Sequence, residues 1–167
     1  MASRLSQHKN FLIRTILLFF CLLIFPRNQF ADSIQDESKS YQILSTALWS
    51  CNTTEALNII NCGIDPNIAD TSGMSLLMAA TIVGCKDIGL MLLASGADPD
   101  LQDMAQRTAL YYAVIHGNHS IAEMLLERGA SVNLADSNRE TVLIRAVEKA
   151  DSAMIFMLLN YGADPYT

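Results

Sequence analysis

The side chains able to do chemistry in this sequence are few, and their spacing argues against most of the reactions they could serve. His116 and His119 stand three apart. A zinc ion takes about four ligands in converging geometry, and no cysteine or carboxylate sits at ligand spacing from this pair, so no metal site is expected. Asp98, Asp100 and Asp103 are clustered, but a calcium loop adds a glycine bend and a closing glutamate; the cluster reads as a solvated acidic loop. Asp70-Thr71-Ser72-Gly73 has one residue too many for a catalytic aspartate loop, and its aspartate suits a tight turn. Glycine-rich phosphate loops, nucleophile elbows and paired catalytic carboxylates are missing. The expectation is a chain with no catalytic residue and no cofactor, one that is not an enzyme. The sequons Asn52-Thr53-Thr54 and Asn118-His119-Ser120 read as accidental outside a eukaryotic secretory route.

The N-terminus carries a different signal. Arg4, Lys9 and Arg14 precede an uncharged apolar run from Thr15 to Phe25. That run is shorter than the roughly 20 residues needed to span a membrane. A basic lead, a short apolar core and a polar sequel make a secretory signal peptide over residues 1–31, with cleavage after Ala31; an uncleaved signal anchor is the alternative. A lipoprotein reading is set aside, because Phe19 and Phe20 before Cys21 are too large. Beyond the signal, residues 32–167 hold seven basic and 17 acidic residues, a net charge of −10. Such a surface repels phosphate backbones, which argues against nucleic acid as a partner. Membrane contact is expected only through the signal segment, if it is retained. The chain is therefore expected to be exported, with the periplasm as its compartment and secretion or signal anchoring as alternatives.

What positions all these side chains is a repeat. Asp70, Asp103 and Asp136 recur every 33 residues, as do Gly63, Gly96, Gly129 and Gly162. The period divides the chain into units at about 37–69, 70–102, 103–135 and 136–167. In each, a leucine and an alanine three apart (Leu44/Ala47, Leu77/Ala80, Leu110/Ala113, Leu143/Ala146) mark the inner face of a first helix. The alanine lets a second helix approach closely. A glycine turn follows at Gly84 and Gly117. The second helix carries Met91, Leu92 and Leu93, or their equivalents Met124, Leu125, Leu126 and Met157, Leu158, Leu159. Strand patterns are absent, so the expected fold is all-α, helix-turn-helix repeats joined by hairpin loops. At the ends, Gln42, Ser45 and Asn52 adapt the first unit to solvent, whereas Met154, Phe156 and Tyr161 leave the last apolar, either as a plain terminal cap or as a contact site. Cys51 and Cys62 flank one helix, roughly 16 Å apart and beyond the reach of a bridge. Cys51 and Cys85 fall at equivalent turns of adjacent units, where a disulfide and free buried thiols are both open.

The units resemble the ankyrin repeat family. Its GADxN motif appears as GIDPN from Gly63, GADPD from Gly96, GASVN from Gly129 and GADPY from Gly162. Its TPLHxA motif appears, without proline or histidine, in the segments running from Ser75 to Ala80, Thr108 to Ala113 and Thr141 to Ala146. The resemblance covers about residues 37–167 and implies a solenoid of about four repeats. It also implies a protein partner, of unknown identity, docking on hairpin tips and the concave face of the first helices. The positions carried over are Tyr41, Trp49, Met74, Ile82, Val83, Met104, Arg107, Ile115, His116 and Glu140, expected to face solvent. Two roles fit an exported member of this kind: an immunity protein that neutralises a toxin or effector, and an accessory protein of oxidative-stress defence associated with catalase. A membrane-anchored structural scaffold is the third.

Overall fold

The structure, a computed structural model, describes residues 37–61 and 63–166; the expected signal segment and Cys62 lie outside them. Among the described residues eight helices follow one another as four pairs: α1 (Glu37–Trp49) with α2 (Thr53–Asn61), α3 (Leu76–Val83) with α4 (Lys86–Ala94), α5 (Ala109–Ile115) with α6 (His119–Glu127), and α7 (Val142–Glu148) with α8 (Ser152–Asn160). Each pair packs against itself, the first helices pack in a row, and the second helices form a row behind them. Among the described residues there are no strands, only isolated antiparallel bridges at Ala69/Ser75 and Ala135/Thr141. None of these helices is long and apolar enough to cross a membrane.

The periodic apolar residues become one continuous core. Leu44, Leu77, Leu110 and Leu143 are buried along the first helices with Ala47, Ala80, Ala113 and Ala146 beside them. Ile59, Leu92, Leu125 and Leu158 form the matching row on the second helices. Small residues at Ala56, Gly89 and Ala122 keep that second row tight; a Cβ on Gly89 would come within 3.2 Å of the Met124 methyl. No repeat encloses its own apolar face, so stability arises at the interfaces between neighbours. Met154, expected to burden an exposed end, is instead buried as part of the core.

The loops ahead of α3, α5 and α7 are one device used three times. Asp70, Asp103 and Asp136 each donate their backbone N–H to the carbonyl four residues on. Their Oδ1 atoms accept from the amides two and four residues on, at 2.8–3.0 Å. The carboxylate thus replaces the hydrogen bonds a strand ladder would supply. Burial alone would raise the pKa of these carboxyls, but the donors gathered around them outweigh it and hold all three below the ordinary carboxylate value. At Gly73 the turn adopts φ +78°, and a Cβ there would meet the Asp103 backbone at 3.1 Å. The first repeat has no such loop, since residues 37–49 run as one helix. Tyr41 accordingly lies within a helix rather than at a hairpin tip.

Candidate functional site

The carried-over positions do not form a single patch. Trp49, Ile82, Val83, Ile115 and His116 lie at the C-terminal ends of the first helices, whereas Met74, Met104, Arg107 and Glu140 belong to the loops at the other end. Eight helical residues separate the two rows, roughly 12 Å. Within them exposure differs sharply. Trp49 is 71% exposed and Met104 80%. Tyr41, Met74, Ile82 and Val83 are partly buried and pack on the core, so the expectation that these positions face solvent is corrected for them. Burial, with the Asp70 charge as a lesser cause, pushes the Tyr41 hydroxyl up to about 12.

Arg107 and Glu140 keep part of their side chains in solvent, and both are held in place by intramolecular bonds. The Arg107 guanidinium reaches Asp103 Oδ2 through Nε at 3.0 Å and Nη2 at 2.9 Å, and Tyr112 donates its hydroxyl to the same oxygen at 2.6 Å. Burial and that hydrogen bond push the Tyr112 hydroxyl above its usual range. In the fourth repeat the cation comes from the helix instead. Arg145 occupies the position of Tyr112 and bonds Glu140, Glu148 at 2.9 Å and Asp136 at 3.4 Å. The two guanidinium groups lie 5.2 Å from the Tyr112 ring centre and 5.9 Å from that of Tyr111, and the two tyrosine rings meet edge to face. Sequence reasoning missed Tyr111, Tyr112 and Arg145. The available signal was the shared nine-residue spacing from Asp103 to Tyr112 and from Asp136 to Arg145.

The loops are also tied to one another. Met104 donates its amide to the Ser72 carbonyl at 3.0 Å, and Ser137 to that of Ala105 at 2.9 Å. At the far side, the last residue of the GADxN motif grips the next repeat. Asn67 Oδ1 accepts from the Asp98 amide at 2.7 Å and Asn133 Oδ1 from that of Asp164 at 2.8 Å, while their Nδ2 groups reach the Gly96 and Gly162 carbonyls. Asp100 takes the asparagine's place in the second repeat and meets Ser131, whose amide and hydroxyl donate to its two carboxylate oxygens. The supposed solvated acidic loop is therefore a bonded one, with Asp103 buried.

Cys51 and Cys85 are brought into a disulfide, with Cα atoms 5.8 Å apart. His116 is exposed at its turn. His119 pairs with Asp151 of the next repeat, Nε2 to carboxylate at 3.0 Å, a partner that spacing alone did not reveal. That bond, and the Met154 amide after it, lower the Asp151 pKa. Among the described residues no group of His, Cys, Asp and Glu could hold a metal ion.

The last repeat carries a second apolar surface. Val147 is 58% exposed, whereas Val114, one period earlier, is 1% exposed beneath its neighbour. Leu159 repeats the contrast with Leu126, and Phe156 and Tyr161 are exposed near it.

The family described as ankyrin repeats (3 copies) matches residues 44–136 and again 90–167, together most of the chain. The chain belongs to the ankyrin repeat family, whose repeats are generally protein–protein interaction modules. A search of curated proteins returns no significant match.

Proposed function

We propose that this chain is a non-catalytic, exported binding scaffold whose partner docks along the first helices. The observation that carries the reading is the row Trp49, Ile82 and Ile115, one residue in each of the first three repeats at a constant period, a large exposed indole followed by two partly buried isoleucines. The acidic groups with shifted titration, Asp70, Asp103, Asp136 and Asp151, are all engaged in bonds that close loops or join repeats, which supports a structural use for them. With a net charge of −10 beyond the signal, the partner's docking surface is apolar at its centre and basic at its rim, and its association slows as salt rises.

A periplasmic location follows from reading residues 1–31 as a signal. There the scaffold acts as an immunity protein that sequesters a toxin or effector; the accessory role in oxidative-stress defence and the membrane-anchored scaffold are its rivals. Capture of native proteins on the chain from Asp32 onward, compared with a Trp49→Ala/Ile82→Ala variant, tests the reading. A specific partner lost with the variant while its thermal melt is kept supports it, and equal capture by both overturns the face assignment. Peroxide sensitivity on deletion would favour the accessory role, and an intact Met1 in the mature protein would favour the anchor.

A further inference from the structure

The turn between the two helices of a repeat is also where each repeat reaches back to the one before it, and the three junctions do so with three chemistries. Cys85, Asn118 and Asp151 occupy one register position, immediately ahead of α4, α6 and α8. Asp151 pairs with His119. Asn118 donates its Nδ2 to the Thr81 carbonyl at 3.0 Å. Cys85 is joined covalently to Cys51.

Among the described residues, the covalent junction is the one without a hairpin-to-hairpin amide bond. Where the later repeats have an aspartate-closed loop, the first has helix, with Glu37 in place of Asp70, Asp103 and Asp136. Gln42 stands where Ser75, Thr108 and Thr141 precede the later first helices. The hairpin-to-hairpin amide bonds that join the second repeat to the third and the third to the fourth are made by those loops. Among the described residues, the first two repeats are joined by the shared apolar core, the Asn67 grip and the bridge. Cys51 also takes φ +47°, a left-handed conformation that Gly84, Gly117 and Ala150 adopt at the equivalent turns and that is unfavourable for a side chain. Cys51 is an exposed residue at its turn, while Cys85 is buried.

We propose that the Cys51–Cys85 bridge is a redox-operated clasp that keeps the first repeat docked on the stack. A dithiol reductant reaches the exposed side. Its thiolate attacks the Cys51 sulfur, the Cys51–Cys85 bond breaks, and the electron pair leaves on the Cys85 sulfur, which takes up a proton. The second thiol of the reductant then displaces Cys51 as a thiol, so the dithiol is oxidised to a disulfide as two electrons and two protons pass to the protein. Once opened, the first repeat frays while the later three keep their loop and core contacts. Trp49 is two residues ahead of Cys51, so the row of partner contacts is complete only in the oxidised form; this consequence rests on the proposed docking face.

The test is hydrogen exchange on the full-length protein with and without dithiothreitol, with fluorescence anisotropy of Trp49, the single tryptophan, read in parallel. Reduction is expected to speed exchange of the α1 and α2 amides tenfold or more, lower the anisotropy, and leave α5 to α8 unchanged. A Cys51→Ala/Cys85→Ala variant should match the reduced protein in both buffers. Unchanged protection of α1 and α2 on reduction would overturn the clasp, as would equal loosening of all eight helices, which would make the bridge a support of the whole fold. Neither readout needs the partner, so failure of the docking face, read from the Trp49→Ala/Ile82→Ala capture, is seen separately.

Discussion

The first and third repeats bury the same apolar residues in the same register, Leu44 with Ala47 and Leu110 with Ala113, yet little of their polar structure is shared. In the third repeat a buried carboxylate, Asp103, gathers two amides, a guanidinium and a phenol. In the first, that position is the start of a helix and the main added tie is a disulfide. The comparison teaches that the apolar period is enough to specify the helix pairs, while polar ties decide how firmly each pair is seated. It also sets two groups of residues apart: the exposed Trp49 stands on the repeat that lacks the aspartate-closed loop, and the tyrosine–arginine cluster on repeats that have it.

The largest expected effect is on the part the two repeats share. Leu110→Ala should cost about 2–5 kcal/mol, because its leucine is enclosed between repeats on both sides. Urea denaturation measures it, and a loss under about 1 kcal/mol would mean that the third repeat is not core-supported as described.

Next comes the part they do not share. Asp103→Asn weakens a carboxylate with four bonded donors and should cost about 2–3 kcal/mol. The sign with pH follows from the lowered folded pKa of Asp103 and Asp136. Their contribution is complete above the ordinary carboxylate value near 4 and is lost as pH falls through the lower folded value. Stability should therefore decline below about pH 4, and the decline should be shallower in Asp103→Asn. An identical slope in both proteins would show that this carboxylate does not couple folding to pH.

A smaller effect is expected at the swapped clasp. Ser131→Asp sets two carboxylates against each other at Asp100 and should lower stability by about 1–2 kcal/mol. Adding Asp100→Asn recreates the pairing of Asn67 with Asp98 and should recover most of the loss. A double variant no better than the single one would break the equivalence of the three clasps.

Trp49→Ala should be the mildest, within about 0.5 kcal/mol, because the indole is mostly in solvent. A thermal melt lowered by many degrees would place the indole in the core instead.

The repeat period, the leucine and alanine rows and the turn-forming aspartates were legible because each is a local pattern repeated along the chain. The clasps were not. Asn67 meets Asp98, and His119 meets Asp151, at separations of 31 and 32 residues, and only stacking makes such residues neighbours. The exchange of the cationic role from loop to helix, Arg107 to Arg145, was hidden because each arginine occupies a different register position. The loop expected around Tyr41 became helix because Glu37 stands where each later unit opens with a loop-closing aspartate. The solvent-facing set was misjudged at Tyr41, Met74, Ile82 and Val83, since a period tells which residues share a row but not how far the neighbouring repeat overlaps them.

The central claim, that a protein docks along the first helices, is tested most directly by site-specific photocrosslinking in native extract. A photoreactive residue is placed in turn at Trp49, Ile82 and Ile115 on that row and at Glu123, exposed on the second-helix side. The account predicts one common protein adduct from the first three positions and none from Glu123. Adducts from Glu123 alone, or different proteins from each of the three row positions, would contradict it.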